Sequence, residues 1–320
     1  MNSLIIPVYR NAESITPLLD ELRPLAARVA PLEVVFVVDG SPDDSYARLR
    51  AAAPQLPFAT QLIALSRNFG SFAAIRTGLA AARGERFAVM AADLQEPPEL
   101  AAEFFERLAR DEADVFVGTR DGRADPLGSR IGSALFWGLY RRLINRDIPP
   151  GGVDVFACSR QFRDQLLALE EQHSSLIGLL YWVGFRRGEV RYTRRARQHG
   201  RSAWTFRRKL KYMLDSVFAF SDLPIRLLLI FGIAGMLFAL LFGVIVLSLR
   251  LGGSTAVPGY AATMITILFF GGLNASGLGL VGAYLWRAFA NTQRRPLAIV
   301  MRGEAFAGQG TSPSQQEPQR

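Results

Sequence analysis

No Asp, Glu, Lys or Arg occurs from Leu227 to Leu249, and none from Leu251 to Trp286. Each run reaches the roughly 20 apolar residues that a helix needs to cross a bilayer. The second run alone could be a buried core helix, but two in tandem argue for membrane spans. "LGGSTAVPGY" (251–260) joins them and is short and rich in turn-formers, so the pair reads as a transmembrane hairpin.

The flanks orient it. "RRARQHGR" (194–201), "FRRKLK" (206–211) and Arg226 precede the first run, Arg287, Arg294 and Arg295 follow the second, and only Arg250 lies between. Excess Arg and Lys at both outer ends places the N-terminal domain and the C-terminal tail in the cytoplasm. "MNSLIIPVYR" is too short for a signal peptide and runs straight into a turn. One cysteine, Cys158, cannot form an internal disulfide, which suits a reducing compartment. The end, "GQGTSPSQQEPQR", is polar and expected to be disordered. The expected organisation is a cytoplasmic domain over 1–205 and a juxtamembrane amphipathic helix over 206–226. A hairpin follows over 227–289, with spans near 227–249 and 261–286, and then a tail over 290–320.

The first 120 residues alternate compact apolar runs ("SLIIPV", "LEVVFVV", "TQLIAL", "RFAVMA", "DVFVGT") with segments whose apolar residues recur at helical spacing. Asn11 and Ser41 are reasonable helix N-caps, and Pro97 and Pro98 suit a first helical turn. A βαβα series predicts a mainly parallel sheet covered by helices on both faces. Ligands bind such sheets beyond the carboxyl ends of the strands. There the chain places Pro7 and Tyr9, Asp39, Arg67 and Asn68, and Asp93 and Gln95, after strands one to four respectively. Any one of these could be a turn or cap residue; four consecutive strands ending this way argue for a site. No G-x-G-x-x-G or Walker A sequence supports a dinucleotide or P-loop reading. No Cys/His cluster resembles a zinc site, and two histidines, His173 and His199, argue against a histidine-based triad.

"IIPVYRNAESI", "VVFVVDGSPDDS", "LSRNFGSFAAIRTGLAAARGE" and "ADLQEPPEL", in this order, resemble the family-2 glycosyltransferases, in particular the polyprenyl-phosphate branch that includes dolichol-phosphate mannose synthase and the bactoprenol glucosyltransferases. The resemblance runs from about residue 3 to 226. It implies an α/β fold of the GT-A type, a nucleotide-sugar-binding domain with a mainly parallel sheet, followed by amphipathic interfacial helices and the hairpin. It also implies a multi-pass protein of the bacterial inner (plasma) membrane. Pro7, Tyr9 and Glu13 would border the nucleoside and Asp39 would accept from a uracil or guanine ring N–H. Ser41, Arg67, Asn68, Asp93 and Arg120 would complete the nucleotide-sugar site. Asp93 and Gln95 match the family's metal segment, where hard oxygen ligands and diphosphate suit Mg²⁺ or Mn²⁺. Two departures stand out. The family pattern reads Asp-x-Asp-x-Gln, and Ala91 occupies its first Asp position; in "GRSAWTFRRK", Ala203 replaces a Lys. One anion and one cation are lost together, so the two changes are expected to compensate.

The acceptor the resemblance implies is a polyprenyl phosphate, undecaprenyl phosphate in bacteria. Its oxygen is largely anionic at neutral pH, since a phosphate monoester has a second pKa of about 6, so a dedicated base is less necessary. Metal and arginines would bring two anions together and stabilise the departing diphosphate. Arg120, Arg130, Arg197 and Arg201 are the expected phosphate contacts, with Ser202 and Trp204 beside the lipid phosphate. Asp154, in "PPGGVDVFACSR", matches an acidic position near the acceptor and reads as a base, an orienting group or a turn residue. Asp93, Asp154, Arg130 and Arg201 form the expected catalytic set. Arg194 and Arg195 read equally well as contacts to anionic headgroups.

"LFWGLYRRLI" (135–144) and "FRRKLKYMLDSVFAFSDL" (206–223) read as interfacial helices or as helices packed on the sheet. The chain lacks Gln-x-x-Arg-Trp and has a single hairpin, against a processive polysaccharide synthase. The expected function is inverting transfer of a sugar, most simply glucose from UDP-glucose, to undecaprenyl phosphate for modification of an envelope polymer. Its expected partners are the UDP-sugar, the lipid acceptor, the membrane and further copies in a homotetramer, with no nucleic acid. The alternative is a catalytically silent membrane scaffold or partner subunit.

Overall fold

The computed structural model describes residues 1–120, 137–142, 145–149, 152–153, 155–195, 206–252 and 259–309. Four parallel strands form the centre of the sheet: β1 (Asn2–Val8), β2 (Leu32–Val38), β3 (Ala59–Leu65) and β4 (Arg86–Val89). Their runs are apolar on both faces because helices cover both. The intervening helices are α1 (Ile15–Arg28), α2 (Ser45–Ala52), α3 (Ser71–Ala81) and α4 (Pro98–Ala109). One core gathers Leu4, Ile6 and Phe36 from the strands with Leu18 and Leu22 of α1 and Phe104 and Phe105 of α4. Against the other side of β1 and β2, α3 approaches so closely that a Cβ on Gly78 would fall 2.4 Å from Ile5.

Four more strands widen the sheet: β5 (Val115–Arg120), β6 (Phe156–Ser159), β7 (Arg187–Tyr192) and β8 (Val300–Phe306), in the spatial order β7-β5-β6-β4-β1-β2-β3-β8. β6 runs antiparallel to β4 and β5, and β8 antiparallel to β3, so the sheet is mixed and mainly parallel as expected. Helices α5 (Arg160–Ala168) and α6 (Leu176–Trp182) follow β6. Within 135–144, residues 137–142 are helical, and Tyr140 is buried with its hydroxyl 3.0 Å from the Ser175 hydroxyl.

The two expected N-caps fare differently. Asn11 is the N-cap residue of a short 3-10 turn, Ala12–Ser14, that runs into α1, but its side chain makes no capping bond; Ser41 is corrected, since α2 begins at Ser45 behind Asp44. The Asn11 and Ser41 side chains make loop contacts instead, as described below.

A separate compact unit spans Leu210–Arg295. It comprises most of α7 (Phe206–Phe220) together with α8 (Leu223–Leu251) and α9 (Tyr260–Thr292). Leu223–Leu249 and Thr263–Thr292, with mean hydropathies of 2.8 and 1.7, are long and apolar enough to cross a membrane. Their large side chains point outward: Leu240 is 67% and Ile265 68% exposed. Within this unit, Asp215 of α7 accepts from Arg287 of α9 at 2.8 Å, and the Arg287 guanidinium lies 4.5 Å over the Phe218 ring. The chain rejoins the first unit at Pro296, forms β8 and ends its described part just beyond it, at Gln309.

Candidate active site

Three loop contacts build the carboxyl edge of the sheet. The first joins the turn after β1 to the start of α2. Asp43 is its hub, accepting from the Ser41 hydroxyl (2.6 Å), the Ser45 hydroxyl (2.7 Å) and the Ala12 backbone N–H (3.0 Å). Ser41 in turn accepts from the Arg10 N–H at 2.8 Å, and the Asn11 amide oxygen accepts from the Tyr9 N–H at 3.1 Å. These bonds hold Arg10 at a φ of 57°, a region non-glycine residues seldom occupy. Burial pushes the Asp43 carboxyl up, but hydrogen bonds from Ser41, Ser45 and Ala12 outweigh it and leave the pKa below the ordinary value. Pro7 and Tyr9 are half-buried at this edge and Glu13 is exposed.

The second contact joins the ends of β2 and β3. Asp39, only 2% exposed, accepts from the backbone N–H groups of Phe69 (2.7 Å) and Gly70 (2.8 Å). Burial is the largest influence on its carboxyl and raises the pKa, against the opposing pull of those two N–H groups and Arg67. Next to it, Gly40 takes a φ of 56° and lies against the Arg67–Asn68 backbone. Arg67 and Asn68 are exposed, with the Arg67 guanidinium 4.0 Å from the Phe69 ring centre.

The third contact carries the metal-type loop. β4 ends at Val89, Leu94 adopts a φ of 57°, and the Gln95 N–H donates to the Asp93 carboxylate at 3.3 Å. The segment after β7 closes on this turn. The Arg195 N–H donates to the Gln95 carbonyl at 2.9 Å, and the Arg194 guanidinium donates to Gln95 Oε1 at 2.5 Å. Arg195 itself is held by Glu21 of α1 through contacts of 2.9 and 2.7 Å. Arg120 ends β5 in register with Tyr192, two residues before Arg194. β1 separates β2 from β4, so the Asp39 and Asp93 loops stand two strand spacings apart, about 10 Å.

Thus Pro7, Tyr9, Ser41, Asp39, Arg67, Asn68, Asp93 and Gln95 lie on one edge of the sheet, as the strand-end argument requires. Arg130, Asp154, Arg197, Arg201, Ser202 and Trp204, together with Ala203, lie outside the described residues. One contributor escapes the sequence reading: Asp43 is signalled only by the alternation Ser41-x-Asp43-x-Ser45. Arg194, which read equally well as a phosphate or a headgroup contact, is placed on the Gln95 side chain.

Among the described residues, no group of three His, Cys, Asp or Glu side chains could hold a metal on protein ligands alone. The Asp93 carboxylate and the Gln95 amide oxygen are hard donors on one turn. They fit a small divalent cation that takes the rest of its shell from diphosphate oxygens and water.

Comparisons with known proteins agree with this architecture. The family described as "Glycosyl transferase family 2" matches residues 3–169. The chain is 34% identical to an undecaprenyl-phosphate 4-deoxy-4-formamido-L-arabinose transferase of Pseudomonas paraeruginosa, covering 94% of this chain and 89% of the relative. It is 30% identical to an uncharacterized glycosyltransferase of Synechocystis sp., over 93% of this chain and 94% of that protein. It is 27% identical to a prophage bactoprenol glucosyl transferase homolog of Escherichia coli, over 94% and 98%. The chain therefore belongs to glycosyltransferase family 2, and its α/β domain, with the site on the carboxyl edge of a mainly parallel sheet, is of the GT-A type.

Proposed function

We propose that this glycosyltransferase moves a single sugar, most simply glucose from UDP-glucose, onto undecaprenyl phosphate at the cytoplasmic face of the bacterial inner membrane. The observation that carries the reading is the joining of the Asp39 and Asp93 loops in one chain with two helices of membrane-crossing length. A nucleotide sugar is polar at the base and anionic at the diphosphate, and the two loops offer a carboxylate for the first and a cation-binding turn for the second. Relatives along nearly the whole chain carry names of undecaprenyl-phosphate and bactoprenol sugar transferases, which supports the acceptor class.

The chemistry follows from charge. A phosphate oxygen of the acceptor attacks the sugar C1, the bond from C1 to the β-phosphate oxygen of UDP breaks, and its electron pair leaves with UDP. The configuration at C1 inverts. No proton must be removed, because the attacking oxygen is already largely anionic at neutral pH. Asp39 orients the base, while Asp93 and Gln95 hold the Mg²⁺ or Mn²⁺ that, when bound, neutralises charge developing on the leaving diphosphate. Arg120 lies on the same edge as a further cation for phosphate oxygens. Arg130, Asp154, Arg197, Arg201, Ser202 and Trp204 complete this proposal as acceptor-side residues. The lipid-linked product would then serve an envelope polymer, and the protein would act as a homotetramer.

The test is incubation of purified full-length protein with a panel of radiolabelled UDP-sugars, undecaprenyl phosphate and Mg²⁺ or Mn²⁺. A lipid-linked monosaccharide is expected from one donor. Asp93→Ala should abolish it, and Ala91→Asp should give no gain in turnover, because the lost acid and the lost Lys at Ala203 compensate. No product with any donor, together with no UDP binding, would favour the silent scaffold.

A further inference from the structure

Gln95 is the second of the two donors assigned to the metal, yet its amide oxygen already accepts from a cation. Arg194 Nη2 lies 2.5 Å from Gln95 Oε1. We infer that Arg194 is a charge-compensating residue of the diphosphate site, one that makes divalent-metal binding depend on prior or simultaneous arrival of the nucleotide. The inference rests on the transferase reading and concerns how that site is loaded.

The argument is electrostatic. An amide oxygen has two lone pairs, and the one taken by the Arg194 N–H is closed to a metal. A cation on the other would stand about 4 Å from the guanidinium, where like charges repel strongly in a partly buried site. Gln95 is 9% exposed, so water screens this repulsion poorly. Ala91 removes the first acid of the pattern, and of the two acids that remain in the turn, Asp93 and the buried Glu96, only Asp93 belongs to the donor pair assigned to the metal. An approaching metal therefore meets a donor oxygen already engaged by a guanidinium. Arg195 does not share the burden, because its guanidinium is committed to Glu21 and faces Glu99 at 3.5 Å.

A diphosphate changes the balance. Its charge attracts guanidinium and metal alike, and arginine is well shaped to grip phosphate oxygens. Arg194 Nε is buried and has no hydrogen-bond partner among the described residues, a cost that an adjoining oxyanion would relieve. Metal and nucleotide should then bind with strong positive coupling, each raising the affinity of the other by the same factor.

The experiment follows free Mn²⁺ by electron paramagnetic resonance during titration of the full-length protein in detergent, with and without UDP. Wild type should bind Mn²⁺ at least roughly tenfold more tightly with saturating UDP. Arg194→Met, and Arg194→Gln as a second variant that keeps a polar side chain, should bind Mn²⁺ without UDP about tenfold more tightly than wild type, with a smaller UDP effect. If UDP tightens Mn²⁺ binding in wild type but both Arg194 variants match wild type without UDP, the role of Arg194 is overturned and the transferase reading stands. If UDP does not affect Mn²⁺ binding in wild type, the reading of the site fails and this inference falls with it.

Discussion

A single methyl group on residue 40 would sit 2.2 Å from the Arg67 carbonyl carbon and 2.5 Å from the Asn68 nitrogen. No side-chain rotation relieves such a contact, because both partners are backbone, and the φ of 56° disfavours any residue but glycine. Gly40→Ala should therefore push the loops after β2 and β3 apart and pull Phe69 and Gly70 from the Asp39 carboxylate. A stability loss of about 1–3 kcal/mol is expected in chemical unfolding, with weaker UDP binding alongside. Unchanged stability would mean that these loops tolerate separation. Asp39 itself gives a pH prediction. Burial raises its pKa, so the folded protein holds that proton more tightly than the unfolded chain, and stability falls as pH rises from the ordinary 3.8 through the raised value. Base recognition runs the opposite way, since the ionised carboxylate accepts a ring N–H more strongly than the neutral acid does. Affinity for uridine should climb with pH through that same window and level off above it, and Asp39→Asn should remove the climb. Uridine is the right probe because the terminal phosphate of UDP titrates near pH 6, about where a phosphate monoester does. A pH-independent affinity in wild type would exclude Asp39 as the base acceptor.

Among the elements, β8 depends most on distant partners. It covers the edge of β3, which would otherwise present unpaired backbone groups. Glu304 fastens it, accepting from Tyr46 at 2.6 Å and Arg50 at 2.9 Å, and the Ile299 carbonyl accepts from the Ser66 N–H at 2.9 Å just before the Arg67–Asn68 loop. Truncation after Arg295 should speed hydrogen exchange across Ala59–Ser66 by at least roughly tenfold while β1 stays protected, and unchanged exchange in β3 would show that β8 merely rests there. The sequence does not announce this strand. "VMRGEAF" carries an Arg, a Glu and a Gly, and its residues are mostly exposed, so it lacks both an apolar run and a clean alternation. β7 (RGEVRY) buries only Val190 and Tyr192, and β6 is four residues long. By contrast, β1 to β5 are legible because strands buried on both faces must be apolar throughout. The site divides the same way. Asp39, Asp93 and Gln95 were placed by the strand-end rule alone. Asp43 and Arg194 matter through partners 31 and 99 positions away, Ala12 and Gln95, and no local pattern encodes such distances. Ser41 shows the converse error, where a good capping residue is used for a loop-to-loop bond, and the Asn11 side chain, at an N-cap position, bonds within its own turn instead.

The path of the whole chain constrains its topology more tightly than the charge flanks do. The chain leaves the α/β unit after Lys209, passes through two helices long enough to cross a membrane, and returns at Pro296 to pair β8 with β3. A strand can hydrogen-bond into a sheet only from the same side of the bilayer, so the number of crossings between Lys209 and Pro296 must be even. Two crossings put the residues between Leu251 and Tyr260 on the opposite face. Zero crossings would leave side chains such as Leu240 and Ile265 in water over two long helices, a far larger apolar surface than soluble monomers expose. Thiol labelling separates the two cases, and the protein is suited to it. Its one cysteine, Cys158, is fully buried, and burial pushes the thiol well above its ordinary pKa, so it should not react. In spheroplasts, a membrane-impermeant maleimide should label Ser254→Cys without permeabilisation. Arg110→Cys, exposed at the end of α4, and Gln309→Cys, beyond β8, should label only after permeabilisation. Protection of Ser254→Cys until the membrane is opened would rule out the hairpin. Labelling of Gln309→Cys in sealed spheroplasts would contradict the β3–β8 pairing, because that residue would then lie across the bilayer from Arg110.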